Sequence, residues 1–307
     1  MGLGVFLHKA VSPYMEENAP YMPGEVFPFF FTMEMFQRAL LAAFVITIVA
    51  GVLGSFLLIR NMALIGDGIS HVTFGGVAVA LVMGAAFPLI NAAIFAVIAS
   101  IIIFELQDRG ILNGDTAIAI IMTGTLAFGL VLLRLDDNIG GITPVVEGFL
   151  YGNLLFIDDQ TLDFICTIGL VALLLLLAMY NGLLASAVDP VAARVQGIPV
   201  KAIGLAFSIL TALVVVSMVK ILGALLVTAL LVSPAATAQQ VGKSFRSCVL
   251  WSQVFGLFAV GLGIYLSAEE GTGSGAMIAL VAASVFGIVA IAKLLIRGVF
   301  FAQENLN

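Results

Sequence analysis

Long apolar segments separated by short polar connections dominate this sequence. The segments lie near residues 35–59, 65–86, 88–106, 116–133, 161–179, 202–219, 221–239, 249–266 and 275–296. Each is close to the roughly 20 residues that an α-helix needs to cross a bilayer. The pattern therefore predicts an all-α, polytopic transmembrane protein with about eight or nine spans. Two joins are tight, at Phe87-Pro88 and at Lys220, and either is compatible with a broken helix instead of a hairpin.

Two longer segments do not fit a simple crossing. Residues 1–34 carry four prolines among aromatic residues, which favours an interfacial segment. The connection at 134–160 is acidic at both ends, and the length of its apolar middle, 145–157, suits a re-entrant or surface-lying helix. We therefore divide the chain into an N-terminal interfacial segment at 1–34, a transmembrane domain at 35–297 and a cytoplasmic tail at 298–307.

Composition agrees with a membrane protein, since 62% of residues are hydrophobic and only 10% are charged. A soluble protein carries about 25% charged residues. The net charge of −6 lies in the connections, and the basic surface typical of nucleic-acid binding is missing from the sequence. Cys166 and Cys248 lie far apart in apolar segments and lack metal-ligand spacing, so we interpret both as small core residues.

The distribution of Lys and Arg predicts the orientation in the membrane. If the connection after the first span is cytoplasmic, eight of the twelve basic residues lie inside and four lie outside, in agreement with the positive-inside rule. The inside residues are Arg60, Arg109, Arg194, Lys201, Lys243, Arg246, Lys293 and Arg297. The C-terminus is then cytoplasmic and the N-terminus lies outside.

The second span contains the main candidate for chemistry, an aspartate and a histidine four residues apart. Asp67 and His71 lie on one face if the segment is an α-helix. Their oxygen and nitrogen atoms are ligands that zinc, manganese and ferrous iron accept, and ionisable residues within a membrane are usually functional. Two structural alternatives remain open at this point: Asp67 as a helix N-cap and His71 as a hydrogen-bonded interior histidine.

The pair supplies two ligands, whereas a metal site typically needs three or more. A homodimer with its two-fold axis along a pore would supply two Asp and two His. Gly75 and Gly76 follow the pair and allow either close helix packing or room for an ion. Pro234 kinks the seventh span, and the carbonyl it frees faces either a cavity or a neighbouring helix.

The longest cytoplasmic connection, 182–200, contains signals for a short helix at 189–199. Asp189 is a suitable N-cap, Pro190 suits the first helical position, and Gly197 suits the end. An ordinary connector is the alternative. No nucleotide-binding motif is present in the sequence, so ATP-driven transport would require another chain. We also expect Asp115 to cap the fourth span and His8 to lie at the membrane interface.

Three stretches resemble the metal-transporting ABC permeases of the ABC-3 family. The first, Leu-Ile-Arg-Asn-Met-Ala-Leu-Ile-Gly-Asp-Gly-Ile-Ser-His at 58–71 followed by Gly-Gly-Val-Ala at 75–78, resembles the family signature. Residues 219–238 resemble its second signature, and 192–198 resemble its coupling helix. The resemblance covers about 36–295. The chain departs from the family at Thr73-Phe74-Gly75, where Leu-Pro-Gly is usual, and residues 1–34 are longer than expected.

This resemblance implies that the chain is the permease subunit of an ATP-driven importer. The importer would carry divalent manganese, zinc or iron and would lie in the cell membrane, or inner membrane, of a prokaryote. It implies a fold similar to vitamin B12-type importers, a homodimer, a separate ABC ATPase and an extracellular or periplasmic metal-binding protein. The transported metal would be cargo, with no permanent cofactor. Asp67 and His71 would be the pore ligands. The residues of the coupling helix would be Asp189, Ala192, Ala193, Arg194 and Gly197.

Two other functions remain open from the sequence. An ion-coupled secondary transporter typically has paired broken helices and several ionisable groups near the membrane midplane, whereas this sequence has one such cluster. A metal-dependent intramembrane enzyme needs more ligands and a general base, and His8 is the only other histidine. Dependence of transport on a separate ATPase distinguishes the three.

Overall fold

The computed structural model describes residues 2–135, 144–152, 154, 157–224 and 226–304. Most of these residues lie in helices, and none of them forms a strand. Their α-helices, in chain order, are α1 (Leu3–Asn18), α2 (Phe29–Thr32), α3 (Glu34–Ile59), α4 (Ile65–Val82), α5 (Pro88–Asp108), α6 (Gly114–Leu135), α7 (Pro144–Tyr151), α8 (Asp159–Ala178), α9 (Tyr180–Val188), α10 (Pro190–Val195), α11 (Val200–Leu222), α12 (Val227–Val241), α13 (Phe245–Glu270) and α14 (Ser274–Glu304).

Eight of these helices are long and apolar enough to cross a membrane: α3, α4, α5, α6, α8, α11, α13 and α14. The predicted seventh span is α12, which has only 15 residues. The predicted join at Lys220 lies in the wrong place, because Lys220 is still in the last turn of α11. The helix ends at Gly223, whose φ of 84° is a backbone conformation that favours glycine.

Helix α4 packs between α5 and α6, and two of its glycines, Gly75 and Gly76, face these neighbours. A Cβ atom on Gly75 would lie 2.8 Å from the carbonyl oxygen of Thr125 in α6. A Cβ atom on Gly76 would lie 2.8 Å from the Cα atom of Ala92 in α5. Both glycines therefore allow the close helix packing expected of small residues in a membrane.

Ion pairs join the ends of helices that the charge pattern assigns to the same side of the membrane. On the side predicted to be outside, the Nε atom of Arg38 lies 3.1 Å from an oxygen of Asp159. On the side predicted to be cytoplasmic, the ammonium of Lys201 lies 3.0 Å from Glu105 and 3.2 Å from Asp108. These contacts agree with alternating spans.

The N-terminal segment folds onto the end of the bundle that is predicted to lie outside. The amide of Val5 donates a hydrogen bond of 2.8 Å to Asp163 in α8. His8 is buried, and its Nε2 atom lies 3.0 Å from the side-chain oxygen of Gln37 in α3. Gln37 supplies a polar partner that allows the imidazole to be buried between α1 and α3. The position of His8 at the membrane interface stays a prediction.

The short helix predicted after Asp189 is present as α10. The amides of Val191 and Ala192 each donate a hydrogen bond of 2.9 Å to the Asp189 carboxylate, which is the N-cap. Two neighbouring expectations need correction. The connection predicted at 182–200 begins within helix α9, and Asp115 lies inside the first turn of α6, where the carbonyl of Asn113 accepts the hydrogen bond from Ala117.

Candidate metal site

Asp67 and His71 lie in the first two turns of α4. The N-cap of this helix is Leu64, so Asp67 lies inside the helix and the N-cap interpretation does not hold. A carboxylate in the first turn is favoured by the positive end of the helix dipole. The helical backbone of α4 thus allows the side chains of Asp67 and His71 to project from the same face of the helix.

The two side chains are close without being hydrogen-bonded to one another. The Nε2 atom of His71 lies 3.7 Å from the Oδ1 atom of Asp67, which is beyond hydrogen-bond length. A tetrahedral ion with ligand bonds of ~2.1 Å separates two ligand atoms by about 3.4 Å. The observed spacing therefore suits two ligands of one ion.

The surroundings of the pair differ between its two members. The side chain of Asp67 is 36% exposed and that of His71 is 14% exposed. The Nδ1 atom of His71 is buried and has no hydrogen-bond partner among the described residues. An interior histidine satisfied by hydrogen bonds, the second structural alternative, therefore does not describe His71.

The described residues of one chain do not complete a metal site. They contain no group of three or more His, Cys, Asp and Glu side chains close enough to hold an ion.

An apolar cluster lies next to the pair on the same helix. Phe74 follows His71 by three residues and is buried with Ala78 of α4 and Leu133 of α6. Leu126 and Leu150 pack against this cluster. Phe74 occupies the position at which the sequence departs from the family signature, so this departure places a large apolar ring beside the ligands.

Pro234 and the predicted coupling residues lie elsewhere. Pro234 is buried in α12, and its ring faces Gly256 of α13. In α10, Ala193 is 2% exposed and packs against its own chain. Arg194 is exposed together with Val191 and Val195, whose exposures are 69% and 85%. The resemblance does not include Val191 and Val195 among the coupling residues, although they are the most exposed apolar side chains of α10.

Comparisons with known proteins give a consistent result. A family model described as "ABC 3 transport family" matches residues 32–293. The manganese transport system membrane protein MntC of Halalkalibacterium halodurans is 36% identical over 82% of this chain and 85% of that protein. The probable iron transport system membrane protein of Haemophilus influenzae is 32% identical, covering 86% of this chain and 96% of that protein.

A solved structure agrees with the sequence comparisons. A chain of PsaBC from Streptococcus pneumoniae in complex with Fab superposes with a TM-score of 0.75 and 32% identity. The match covers 86% of this chain and 94% of that chain.

Proposed function

This chain belongs to the ABC 3 transport family, and we propose that it is the permease through which an ATP-driven importer carries manganese across a prokaryotic cell membrane. The observation that carries the metal assignment is the pairing of Asp67 with His71 on one face of α4. Manganese is favoured because it is named for the Halalkalibacterium halodurans relative, while the Haemophilus influenzae relative, named for iron, makes iron the alternative metal.

The ligand chemistry supports a transition metal as cargo. Carboxylate oxygen and imidazole nitrogen bind manganese, iron and zinc, and intrinsic affinity is lowest for manganese among these ions. Selection of manganese would therefore depend on metal supply and delivery more than on the two side chains. The ion is a substrate that passes through, and we propose no resident cofactor.

A homodimer would complete the site. The Asp67 carboxylate is partly exposed, and the described residues of one chain offer only this pair. A second copy related by a two-fold axis would bring two Asp and two His to one ion. Four ligands of this kind satisfy the tetrahedral coordination of zinc, whereas manganese, which prefers octahedral coordination, would take further oxygen ligands such as water.

The cytoplasmic helix α10 is the proposed contact with a separate ATPase. Val191 and Val195, one helical turn apart, expose apolar surface on one face of α10, and the charged Arg194 is exposed beside Val195. Exposed apolar patches of this kind typically mark contacts with a partner. Because the sequence has no nucleotide-binding motif, the ATPase that docks here would hydrolyse the ATP.

A cavity beside α10 adds to this proposed docking surface. It has a volume of about 530 Å³ and is bordered by the ends of α3, α5 and α9 and the start of α6. Its lining includes Arg60, Asn113, Asp115, Ser186 and Pro190. A side chain of the ATPase that enters this cavity would contact α10 and the connection leading to α4 together.

The opposite end would receive the metal from an extracellular or periplasmic binding protein. Asp158, Asp159, Glu269 and Glu270 lie at helix ends on the side predicted to be outside. A negative surface raises the local concentration of cations, which supports delivery of a divalent ion at this end.

Transport by the purified complex in proteoliposomes tests this function. With the ATPase and the binding protein present, radioactive manganese should accumulate only when ATP is supplied. Excess unlabelled iron and zinc measure selectivity. Accumulation driven by an imposed ion gradient without ATP would instead support the ion-coupled secondary transporter.

A further inference from the structure

Ser70 lies between the two proposed metal ligands and is fully buried. Its hydroxyl oxygen lies 2.7 Å from the carbonyl oxygen of Ala224 and 2.7 Å from the carbonyl oxygen of Asp67. Within the described parts of the chain, the bond to Ala224 is the one side-chain hydrogen bond that joins α4 to another element. A single side chain therefore ties the helix that carries Asp67 and His71 to the break between α11 and α12.

Ala224 is in turn tied to α7. Its amide donates a hydrogen bond of 2.9 Å to the carbonyl of Phe149, and the ammonium of Lys220 lies 4.9 Å from the centre of the Phe149 ring. A Cβ atom on Gly223 would collide with the backbone of α7 and Gly152. This backbone-to-backbone contact makes α7 and the break one packed unit.

Two hydrogen bonds through Ala224 thus link α7 to α4. The amide of Ala224 donates to the Phe149 carbonyl, and the carbonyl of Ala224 accepts from the Ser70 hydroxyl. Backbone groups and one buried hydroxyl make up this link, so a displacement of α7 reaches α4 at the turn between the ligands. Ser70 contacts neither ligand side chain in a hydrogen bond, so it acts through the backbone of α4.

The hydroxyl has two acceptors and one hydrogen. When it donates to Ala224, α4 is held to the break and to α7. When it donates to the Asp67 carbonyl within its own helix, α4 is released, and the buried donor is still satisfied. Exchange between the two acceptors avoids the cost of an unpaired buried hydroxyl, which is the property required of a contact that forms and breaks repeatedly.

We propose that Ser70 is a positioning residue for metal transport, a latch between α4 and the α7–Ala224 unit that engages and releases in each transport cycle. The engaged latch sets the positions of Asp67 and His71 according to the position of α7. This inference rests on the proposed function, because it assigns to Ser70 the coupling of metal movement to ATP hydrolysis.

The first test measures manganese transported per ATP hydrolysed by the complete complex in proteoliposomes. Ser70→Ala should lower this ratio by about five-fold or more, the usual lower range of coupling between distant sites, while ATP hydrolysis continues. Ser217→Ala and Ser252→Ala are matched controls. Both serines are fully buried; Ser217 bonds only within its helix, and Ser252 bonds across to Gly51 in α3.

The ratio should stay at its wild-type value in both controls. An unchanged ratio in Ser70→Ala would overturn the latch, and so would an equal fall in Ser252→Ala, since any lost interhelical bond would then have the same effect. A wild-type complex that takes up no manganese would contradict the proposed function itself, which is a different result.

The second test locks the latch. Ser70→Cys and Ala224→Cys are combined in a chain whose native cysteines are removed as Cys166→Ala and Cys248→Ala. Cross-linking the pair by oxidation should lower manganese uptake below the level of the same chain kept reduced, and a reductant should return it to that level. Oxidation should leave each single-cysteine chain at its own reduced-state level of uptake. Uptake at the reduced-state level by the cross-linked chain would overturn the proposal, because a latch that never releases would then be harmless.

Discussion

The Nε2 atom of His71 lies 3.7 Å from the Oδ1 atom of Asp67, one turn apart on α4. The two atoms are close enough to share one metal ion and too far apart to satisfy one another by a hydrogen bond. Neither side chain has a hydrogen-bond role that explains its place in an apolar helix, because Asp67 does not cap α4 and the Nδ1 atom of His71 is without a partner among the described residues.

Replacing either member of the pair should therefore remove metal transport and leave the fold intact. We expect Asp67→Ala and His71→Ala each to lower manganese uptake at least about ten-fold, since even loss of an outer-shell partner of a metal ligand costs that much. Uptake of radioactive manganese by cells measures the effect, and gel filtration checks the assembly.

Asp115→Ala is the matched control for this experiment. Asp115 is also a first-turn carboxylate of a long apolar helix, but it lines the cytoplasmic cavity beside α10. Manganese binding by the purified permease does not involve the ATPase, so it is measured for all three variants; it should fall in Asp67→Ala and His71→Ala and stay unchanged in Asp115→Ala. Wild-type uptake by both pore variants would contradict the metal-site assignment.

Local sequence signals predicted the parts of this structure that depend on neighbouring residues. The spacing of Asp67 and His71 in an apolar run predicts that they share one face of a helix, and Asp189-Pro190 predicts the start of α10. Both predictions succeed because helical periodicity and capping depend on only a few neighbouring residues. The similarity of the whole chain to a family gave the overall architecture.

Features that depend on distant contacts were not predicted. The end of α11 falls at Gly223, where the backbone meets Gly152 directly after α7, and not at the charged Lys220. The bond from Ser70 to Ala224 joins residues 154 positions apart. The sequence shows a serine between the two ligands, but tertiary packing determines that this serine is buried and that it bonds to Ala224.

The orientation of the chain is the second prediction. In a background lacking Cys166 and Cys248, cysteines introduced at Asn113 and Ser244 should react with a membrane-impermeant thiol reagent only from the cytoplasmic side. A cysteine at Thr272 should react only from outside. The same is expected at Asn138, which lies outside the described residues. Labelling of Thr272 from the cytoplasmic side would reverse the assigned topology.

Helix α10 provides the third prediction. Arg194→Glu should weaken binding of the ATPase and lower uptake, because it reverses a charge that is exposed beside Val195. Co-purification of the ATPase with the variant measures binding. Lys9→Glu, an exposed charge reversal on the opposite side of the membrane, should bind the ATPase normally.

A bulky residue at Ala193 should act differently from Arg194→Glu. Ala193 is buried against its own chain, so Ala193→Phe should displace α10 and lower the stability of this region, typically by about 1–3 kcal/mol for overpacking. Normal ATPase binding and uptake in both Arg194→Glu and Ala193→Phe would contradict the assignment of α10 as the coupling element.

One carboxylate holds residues 25–27 of the N-terminal segment to α13. Glu269, at the end of α13 that is predicted to lie outside, accepts hydrogen bonds from the amides of Glu25, Val26 and Phe27, at 3.1, 3.0 and 2.9 Å. Glu269→Ala should speed hydrogen exchange of these three amides several-fold, because their acceptor is lost. Glu270→Ala is the matched control, as the neighbouring carboxylate is exposed.

Manganese uptake should largely survive Glu269→Ala, since residues 1–31 precede the region, 32–293, that matches the family model. Any loss caused by the missing surface charge should appear equally in Glu270→Ala. Mass spectrometry after brief exposure to heavy water reports the exchange, and transport is measured on the same preparation. Equal exchange in the Glu269 and Glu270 variants would show that the carboxylate does not hold the segment. A loss of uptake in Glu269→Ala alone would instead give the N-terminal segment a part in transport, because the change is confined to its point of attachment.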